Sequence, residues 1–201
     1  SYIDTFVQIT HFAFNQQADV AILFLTPVIV FFFTFAPFIV DLLYSRTFNV
    51  IIGFVTFGVL GTFFKAVSFS LGYVIIAKGH SKVFITLSVI FNSIFLIISV
   101  VSYNIGGLTG VGIGFLGYYF IHFIALKVLT KYLYEISLTK SFYRTFLICA
   151  IICGSSFMAT LVETVYLRYV LMFLLVVISA YYSLKQFDKN MDLKVFIKSI
   201  F

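Results

Sequence analysis

The sequence predicts an all-α fold, a polytopic bundle of membrane helices. Hydrophobic residues make up 62% of the chain and charged residues only 10%, and the mean hydropathy is +1.14. A soluble domain of 201 residues could not bury that much apolar surface. The apolar runs have the length of about 20 residues that a membrane helix needs, and they lack the alternation of a membrane β-barrel.

Six apolar runs are long enough to cross a membrane. They divide the chain into a polar segment at residues 1–19, a transmembrane region at residues 20–184 and an amphipathic tail at residues 185–201. Because the chain begins at Ser1 without a methionine, we expect a fragment of a longer protein. The predicted spans are 20–44, 50–77, 82–103, 108–127, 142–163 and 165–184.

Basic residues are distributed unequally between the two sides of this predicted bundle. Of the 13 lysines and arginines, ten fall on the side of the chain ends, two fall on the opposite side, and Lys65 lies within the membrane. The positive-inside rule makes the richer side cytoplasmic, so both ends of the chain are expected in the cytoplasm. The net charge of +6 follows from this orientation and from contact with membrane lipids, and it requires no nucleic-acid partner.

The first span contains the only two prolines of the chain, Pro27 and Pro37. Each removes a backbone donor, which predicts a kinked or locally broken helix. Pro27, Thr34, Pro37 and Asp41 fall on roughly one face, and broken helices often line the path of a transported substrate. A kink that serves packing alone is the other interpretation.

The second span contains Lys65, the only charged residue between Arg46 and Lys78. The stretch from Gly53 to Ile75 matches the roughly 30 Å thickness of bilayer hydrocarbon, so Lys65 lies near the midplane. A lysine at that depth costs about 2.5–3.5 kcal/mol on insertion scales. Intramembrane charges of this kind mark functional sites.

The face of the second span around Lys65 is rich in small and hydroxyl side chains, whereas the opposite face is bulky. This difference predicts that Lys65 points toward other helices or a wet cavity and not toward lipid. Two roles remain open: a structural lysine paired with a carboxylate or carbonyl, and a binding group for an anionic substrate. The small face includes Gly58, Gly61, Thr62, Ser68 and Gly72, and the bulky face includes Leu60, Phe63, Val67, Leu71 and Val74.

The third and fourth spans carry fewer polar residues. Asn92 near mid-membrane is interpreted either as a hydrogen-bonding partner of a neighbouring helix or as a substrate contact. Gly106, Gly110 and Gly114 form two small-xxx-small steps, which predict close helix packing. His122 is interpreted as a satisfied polar residue in preference to a proton relay.

The remaining spans and loops predict no catalytic chemistry. Cys149 and Cys153 lie one helical turn apart within the fifth span, where packing explains them better than a disulfide or a metal site. The chain has no H-E-x-x-H motif, no nucleotide-binding glycine loop and no cluster of aspartates. We therefore expect no enzyme, cofactor or metal. The positive charge of Lys65 implies an anionic ligand.

Several short motifs give the chain a resemblance to a known family. They are Asn15-Gln16-Gln17-Ala18-Asp19, Ala36-Pro37, Gly61-Thr62-Phe63-Phe64-Lys65, Gly72-Tyr73 and Ala77-Lys78-Gly79. With these motifs, residues 15–135 resemble bacterial O-antigen translocases, polysaccharide flippases of the multidrug/oligosaccharidyl-lipid/polysaccharide exporter superfamily. The chain departs from the family pattern at Thr62, where an acid is expected.

The resemblance implies a fold, a function and a location. It implies one lobe, the C-terminal one, of a two-lobed MATE-like transporter in the bacterial inner membrane, with the N-terminal lobe of the same protein as its partner. It also implies that the protein flips undecaprenyl-pyrophosphate-linked oligosaccharides to the outer leaflet. On this interpretation the substrate-binding residues are Lys65, Asn92, Thr34 and Ser68.

Three alternatives remain open from the sequence. The first is a cation-coupled multidrug antiporter of the same superfamily, which would need a membrane-embedded acid outside this stretch. The second is a membrane enzyme such as a polysaccharide polymerase, but its large outer loops are absent here. The third is an inactive fragment, because a single lobe lacks the opposite wall of the cavity.

Overall fold

The computed structural model describes residues 2–43 and 50–191. Residues 44–49 and the part of the predicted tail beyond residue 191 lie outside the described residues. Within the described ranges, five helices are long and apolar enough to cross a membrane, so the fold is that of a helical membrane bundle. The helices are α1 (Tyr2–Leu43), α2 (Val50–Ala77), α3 (Ser81–Tyr134), α4 (Lys140–Thr160) and α5 (Val165–Met191).

Helix α1 is longer than the first predicted span. It includes residues 2–19, which the sequence assigned to a separate polar segment, and its most apolar part is Phe14–Ala36. The helix continues through Pro27 and Pro37 without interruption. A proline removes one hydrogen bond of the helix, and the bonds on either side of it keep α1 helical.

Helix α3 contains both the third and the fourth predicted spans. Its backbone leaves helical geometry at Gly106 and Gly107, and Gly107 has φ 58° and ψ −143°, a conformation accessible almost only to glycine. The chain reverses at this point, which makes α3 a hairpin with a first arm at 81–105 and a second arm at 108–134. The connection between the third and fourth predicted spans, residues 104–107, is thus a shorter turn than the sequence indicated.

The two arms of the hairpin pack closely and antiparallel. Tyr118 Oη donates a hydrogen bond to the Phe91 carbonyl oxygen at 2.9 Å. A Cβ atom on Gly110 would overlap the carbonyl oxygen of Ser102, and one on Gly114 would overlap its side chain. The close packing predicted for Gly106, Gly110 and Gly114 is therefore confirmed at Gly110 and Gly114. It is wrong for Gly106, where a Cβ atom would meet no described atom within 4 Å.

The core of the bundle lies around α1, which packs against α2, α4 and α5, while α2 also packs against α3. Buried residues of α1 recur at helical spacing and face this core. On α2, the bulky face predicted opposite Lys65 is buried against the same core, with Phe63 only 2% exposed. The buried core residues of these two helices include Ile22, Leu23, Ile29, Phe33, Phe63, Val67 and Leu71.

A polar contact ties α1 to the connection between α3 and α4. Asn15 Oδ1 accepts a hydrogen bond from the Thr139 backbone N–H at 2.9 Å, and Asn15 Nδ2 donates to the Ser137 carbonyl oxygen at 3.4 Å. Thr139 in turn caps α4, since its hydroxyl accepts from the Phe142 N–H. One amide side chain therefore sets the position of this loop.

Candidate functional site

Lys65 lies on the side of α2 that faces the second arm of α3. Gly61, one turn earlier on α2, allows α2 and the second arm of α3 to approach each other. A Cβ atom on Gly61 would overlap the Phe115 ring and lie 3.2 Å from the Leu116 Cα. The Lys65 side chain is half-buried in this contact. The prediction that Lys65 points toward another helix is confirmed.

Three aromatic rings surround the Lys65 ammonium group. Its Nζ lies 5.4 Å from the ring centroid of Phe69, 5.7 Å from that of Phe115 and 5.3 Å from that of Tyr119. We call these three residues the aromatic cage. A cation–π contact contributes about 0.5–2 kcal/mol, so the cage offsets much of the roughly 2.5–3.5 kcal/mol cost of a lysine at mid-membrane.

The cage takes the place of the carboxylate partner that a structural lysine would have. Among the described residues, Lys65 forms no ion pair and no hydrogen bond. Thr62, where an acid was expected from the sequence, donates its hydroxyl proton to the Val59 carbonyl oxygen at 2.6 Å. The positive charge of Lys65 is therefore stabilised by the faces of aromatic rings. No negative charge among the described residues neutralises it.

A cavity of about 260 Å³ lies beside the cage. We call it the Lys65 cavity, because Phe69 and Tyr119 contribute both to its wall and to the cage around Lys65. Its other walls come from the C-terminal half of α2 and from both arms of α3. It opens toward the outside of the bundle, where Tyr73 is 55% exposed.

Two residues that line this cavity each carry a buried polar atom with no hydrogen-bond partner among the described residues. The two atoms are Ser68 Oγ from α2 and His122 Nδ1 from the second arm of α3. Buried polar groups are nearly always hydrogen-bonded, because an unpaired one costs about 1–3 kcal/mol. Two such atoms in one cavity indicate a place where a polar ligand or water completes the bonding.

The His122 ring is held in place by aromatic packing. Its centroid lies 4.4 Å from that of Phe91 in an edge-on contact and 5.5 Å from that of Tyr118 in a stacked one. Tyr118 uses its hydroxyl proton to join the two arms, so the hydroxyl does not serve His122 as a donor. The interpretation of His122 as a satisfied polar residue is wrong for Nδ1.

Two of the four predicted substrate-binding residues line the Lys65 cavity: Ser68 from α2 and exposed Asn92 from the first arm of α3. Lys65 lies one turn from Ser68 and adjoins the cavity through Phe69 and Tyr119, without lining it itself. Thr34 lies elsewhere: it lines a separate cavity of about 420 Å³ together with Arg168. Its hydroxyl donates to the Val30 carbonyl oxygen at 2.9 Å, so its proton is already used.

The sequence reasoning missed the residues of the second arm that complete the site. Phe115, Tyr119 and His122 recur at helical spacing and therefore share one face, which is a signal that the sequence contains. Aromatic stripes are common in membrane helices, however, and only the hairpin shows that this stripe meets Lys65. The packing of α2 against the second arm of α3 is seen only in the tertiary structure.

Asp19 is a buried acid that the sequence analysis placed in the polar segment before the first predicted span. It lies within the candidate span Phe14–Ala36, is only 8% exposed, and its Oδ1 has no hydrogen-bond partner. Asp19 faces the core between α1, α4 and α5, close to Cys149 of α4 and Tyr182 of α5. A buried acid is thus present in this bundle, on a helix that does not line the Lys65 cavity.

Comparisons with models of known families, with curated proteins and with solved structures give no match. The candidate site is therefore defined by its own chemistry. It combines a caged ammonium group, two unpartnered polar atoms and an open cavity between α2 and α3. Within the described residues no three His, Cys, Asp or Glu side chains are grouped as metal ligands. The arrangement is suited to binding an anion that carries polar groups.

Proposed function

We propose that this chain is one lobe of a two-lobed membrane transporter that flips an anionic, lipid-linked oligosaccharide across the bacterial inner membrane. The observation that carries the proposal is the Lys65 ammonium group, held by three rings beside an open cavity and without a carboxylate partner among the described residues. An undecaprenyl-pyrophosphate sugar supplies the matching negative charge. Lysine binds phosphate as a point charge.

The topology of the proposed lobe follows from the α3 hairpin. Counting its arms as two crossings makes six in all, which places both ends of the chain on one side of the membrane. That side is the cytoplasm by the positive-inside rule, because the loops around Lys78, Lys131 and Lys140 face it. The turn at Gly106 and Gly107 then lies on the outer side.

The proposed mechanism uses the Lys65 cavity as half of a central passage. The pyrophosphate of the substrate must leave water to cross hydrocarbon, and a fixed cation lowers the barrier by replacing lost hydration. Asn92 at the mouth and Ser68 in the wall offer hydrogen bonds to the sugar. Because the cavity opens to the outside of the bundle, a second lobe would close it, and rocking of the lobes would give alternating access.

The experiment replaces Lys65 in the full-length protein, expressed in cells that depend on it for surface polysaccharide. We expect Lys65→Ala to abolish surface polysaccharide at unchanged protein level, and Lys65→Arg to retain part of it because the charge remains. Lys185→Ala is the matched control, since Lys185 also lies over a tyrosine ring, at 5.8 Å from Tyr181. Normal polysaccharide in Lys65→Ala cells would reject the proposal.

A second candidate is a cation-coupled multidrug antiporter, which the buried Asp19 favours. An acid inside a membrane bundle is expensive and is a candidate coupling site. This candidate predicts gradient-driven efflux of cationic dyes from vesicles, lost in Asp19→Asn and retained in Lys65→Ala. Vesicles that show no dye efflux with the unmodified protein would eliminate it and leave the flippase.

A further inference from the structure

A third cavity, of about 290 Å³, lies at the end of the α3 hairpin away from the Gly106 turn. We call it the basal cavity. Among the described residues it shares no lining side chain with the Lys65 cavity, so it is a separate site. Its polar lining residues are Lys127, Thr130, Lys131, Ser137 and Tyr143.

The depth of the basal cavity follows from the length of the hairpin. The arms end where His80 Nδ1 lies 2.9 Å from Tyr134 Oη. Each arm is roughly 40 Å long at about 1.5 Å per residue, whereas the hydrocarbon layer is about 30 Å thick. Lys127 and Lys131 occupy the last turns before Tyr134. Their ammonium groups therefore reach the layer of the lipid phosphates.

The two lysines are placed to act together. Lys127 and Lys131 lie one turn apart and so share a helix face. The half-buried Lys127 is held by a cation–π contact, with its Nζ 4.8 Å from the ring centroid of Tyr143. Lys131 is exposed and completes the wall from the next turn.

The loop that forms the floor of the basal cavity is held in place before any ligand arrives. Asn15 accepts a hydrogen bond from the Thr139 N–H and donates one to the Ser137 carbonyl oxygen. The Thr130 hydroxyl donates to the Leu126 carbonyl oxygen at 2.8 Å. A site formed in advance loses less conformational entropy when it binds, which raises affinity.

The charge around the basal cavity is positive. Among the described residues, neither Lys127 nor Lys131 forms an ion pair. Exposed Lys140 and Arg144 at the start of α4 add to the charge. Two acids of this region are Glu135, exposed at the C-terminal end of α3, and buried Asp19, one turn after Asn15 on α1. Neither lines the cavity.

We propose that the basal cavity binds a phosphate group at the membrane surface, supplied either by an anionic phospholipid or by the pyrophosphate of a lipid-linked sugar. Lys127 and Lys131 neutralise the phosphate, and the Tyr143 ring keeps Lys127 in position for it. Binding here requires no transport through the Lys65 cavity. The site therefore goes beyond the proposed function and stands or falls separately.

The experiment measures thermal unfolding of the full-length protein in detergent with three additives: phosphatidylglycerol, inorganic pyrophosphate and an uncharged diacylglycerol. A ligand that binds the folded state raises the unfolding midpoint, and the stabilisation grows with the logarithm of the ligand concentration divided by its dissociation constant. We expect phosphatidylglycerol to raise it and diacylglycerol not to. Lys127→Gln/Lys131→Gln should weaken the apparent affinity by roughly tenfold or more, since each lost contact is a charge-assisted hydrogen bond.

The controls separate a specific site from general attraction of anions. Lys127→Arg/Lys131→Arg keeps both charges and should keep the stabilisation, and Lys185→Gln should behave as the unmodified protein. Lys131→Gln alone replaces an exposed residue and serves if the double variant does not fold. Stabilisation by phosphatidylglycerol alone assigns the phosphate to a lipid headgroup, and stabilisation by pyrophosphate as well extends the site to the substrate. Equal stabilisation of the glutamine variants, or equal weakening in Lys185→Gln, overturns the proposal.

Discussion

The two faces of α2 differ in what they contribute to the molecule. The face toward α1 and α4 is dry and tightly packed, with Phe63, Val67 and Leu71 almost fully buried. The face toward α3 holds a caged cation, a cavity and the unpartnered Ser68 hydroxyl. The second face also packs against α3, but packing requires neither a caged cation nor an unpartnered hydroxyl, so these two features indicate function. One helix thus separates the structural and the functional halves of the bundle.

The largest change in stability is expected at Gly61, where α2 approaches the second arm of α3 closely. Gly61→Leu would force the new leucine side chain against the Phe115 ring and the Leu116 backbone. The ring can change rotamer, but the backbone of α3 cannot move without disturbing the helix. We expect a loss of about 3 kcal/mol in the free energy of unfolding, measured by denaturant titration in mixed micelles. Gly58→Leu is the matched control, because a Cβ atom on Gly58 meets nothing within 4 Å.

Phe63→Ala tests the dry face alone. It removes a ring that is 2% exposed and lies 5.1 Å, centroid to centroid, from Phe146. We expect a loss of about 2 kcal/mol in stability, below the 3–5 typical of soluble cores because separated membrane helices remain in lipid. Transport per folded molecule should be unchanged. A stable variant that has lost transport would contradict the division between the faces.

Tyr119→Leu tests the aromatic cage. It removes one of three ring contacts to Lys65 and should reduce stability by about 1 kcal/mol, while transport falls because the ammonium group loses its position. Tyr119→Phe keeps the ring and should match the unmodified protein in both measurements. Equal damage in the two variants would show that the hydroxyl matters and the ring does not.

The smallest change in stability is expected at Lys65 itself. Lys65→Met removes a cost of about 2.5–3.5 kcal/mol and also the cation–π contacts that offset it, so stability should change by less than about 1 kcal/mol. Transport should nevertheless be lost. A large destabilisation by Lys65→Met would instead make the lysine a structural residue.

Much of the architecture could be predicted from the pattern of apolar residues. The second predicted span, residues 50–77, coincides with α2, and the last begins with α5 at Val165. The reversal at Gly106 and Gly107 was also foreseen, as a longer loop. The extension of α1 back to Tyr2 was not, because polar residues near a membrane surface are compatible with both helix and loop.

The candidate site could be predicted only in part. Lys65 is identified by its rarity in an apolar run, and Ser68 shares its face by helical spacing. Asn92 joins them only because the hairpin brings its first arm to α2, and Thr34 is separated from them because α1 packs on the other face of α2. Spacing along one helix says nothing about which helix lies opposite.

The amino-acid sequence by itself determined the membrane bundle, the cost of Lys65 and the face on which Lys65 lies, because hydropathy and helical period act over short stretches of chain. The tertiary structure decided what that face meets: three aromatic rings, a cavity and the unpartnered nitrogen of His122. The physical reason is that two of the three rings, Phe115 and Tyr119, and much of the cavity wall come from a second helix. Helix pairing depends on packing that no single segment encodes.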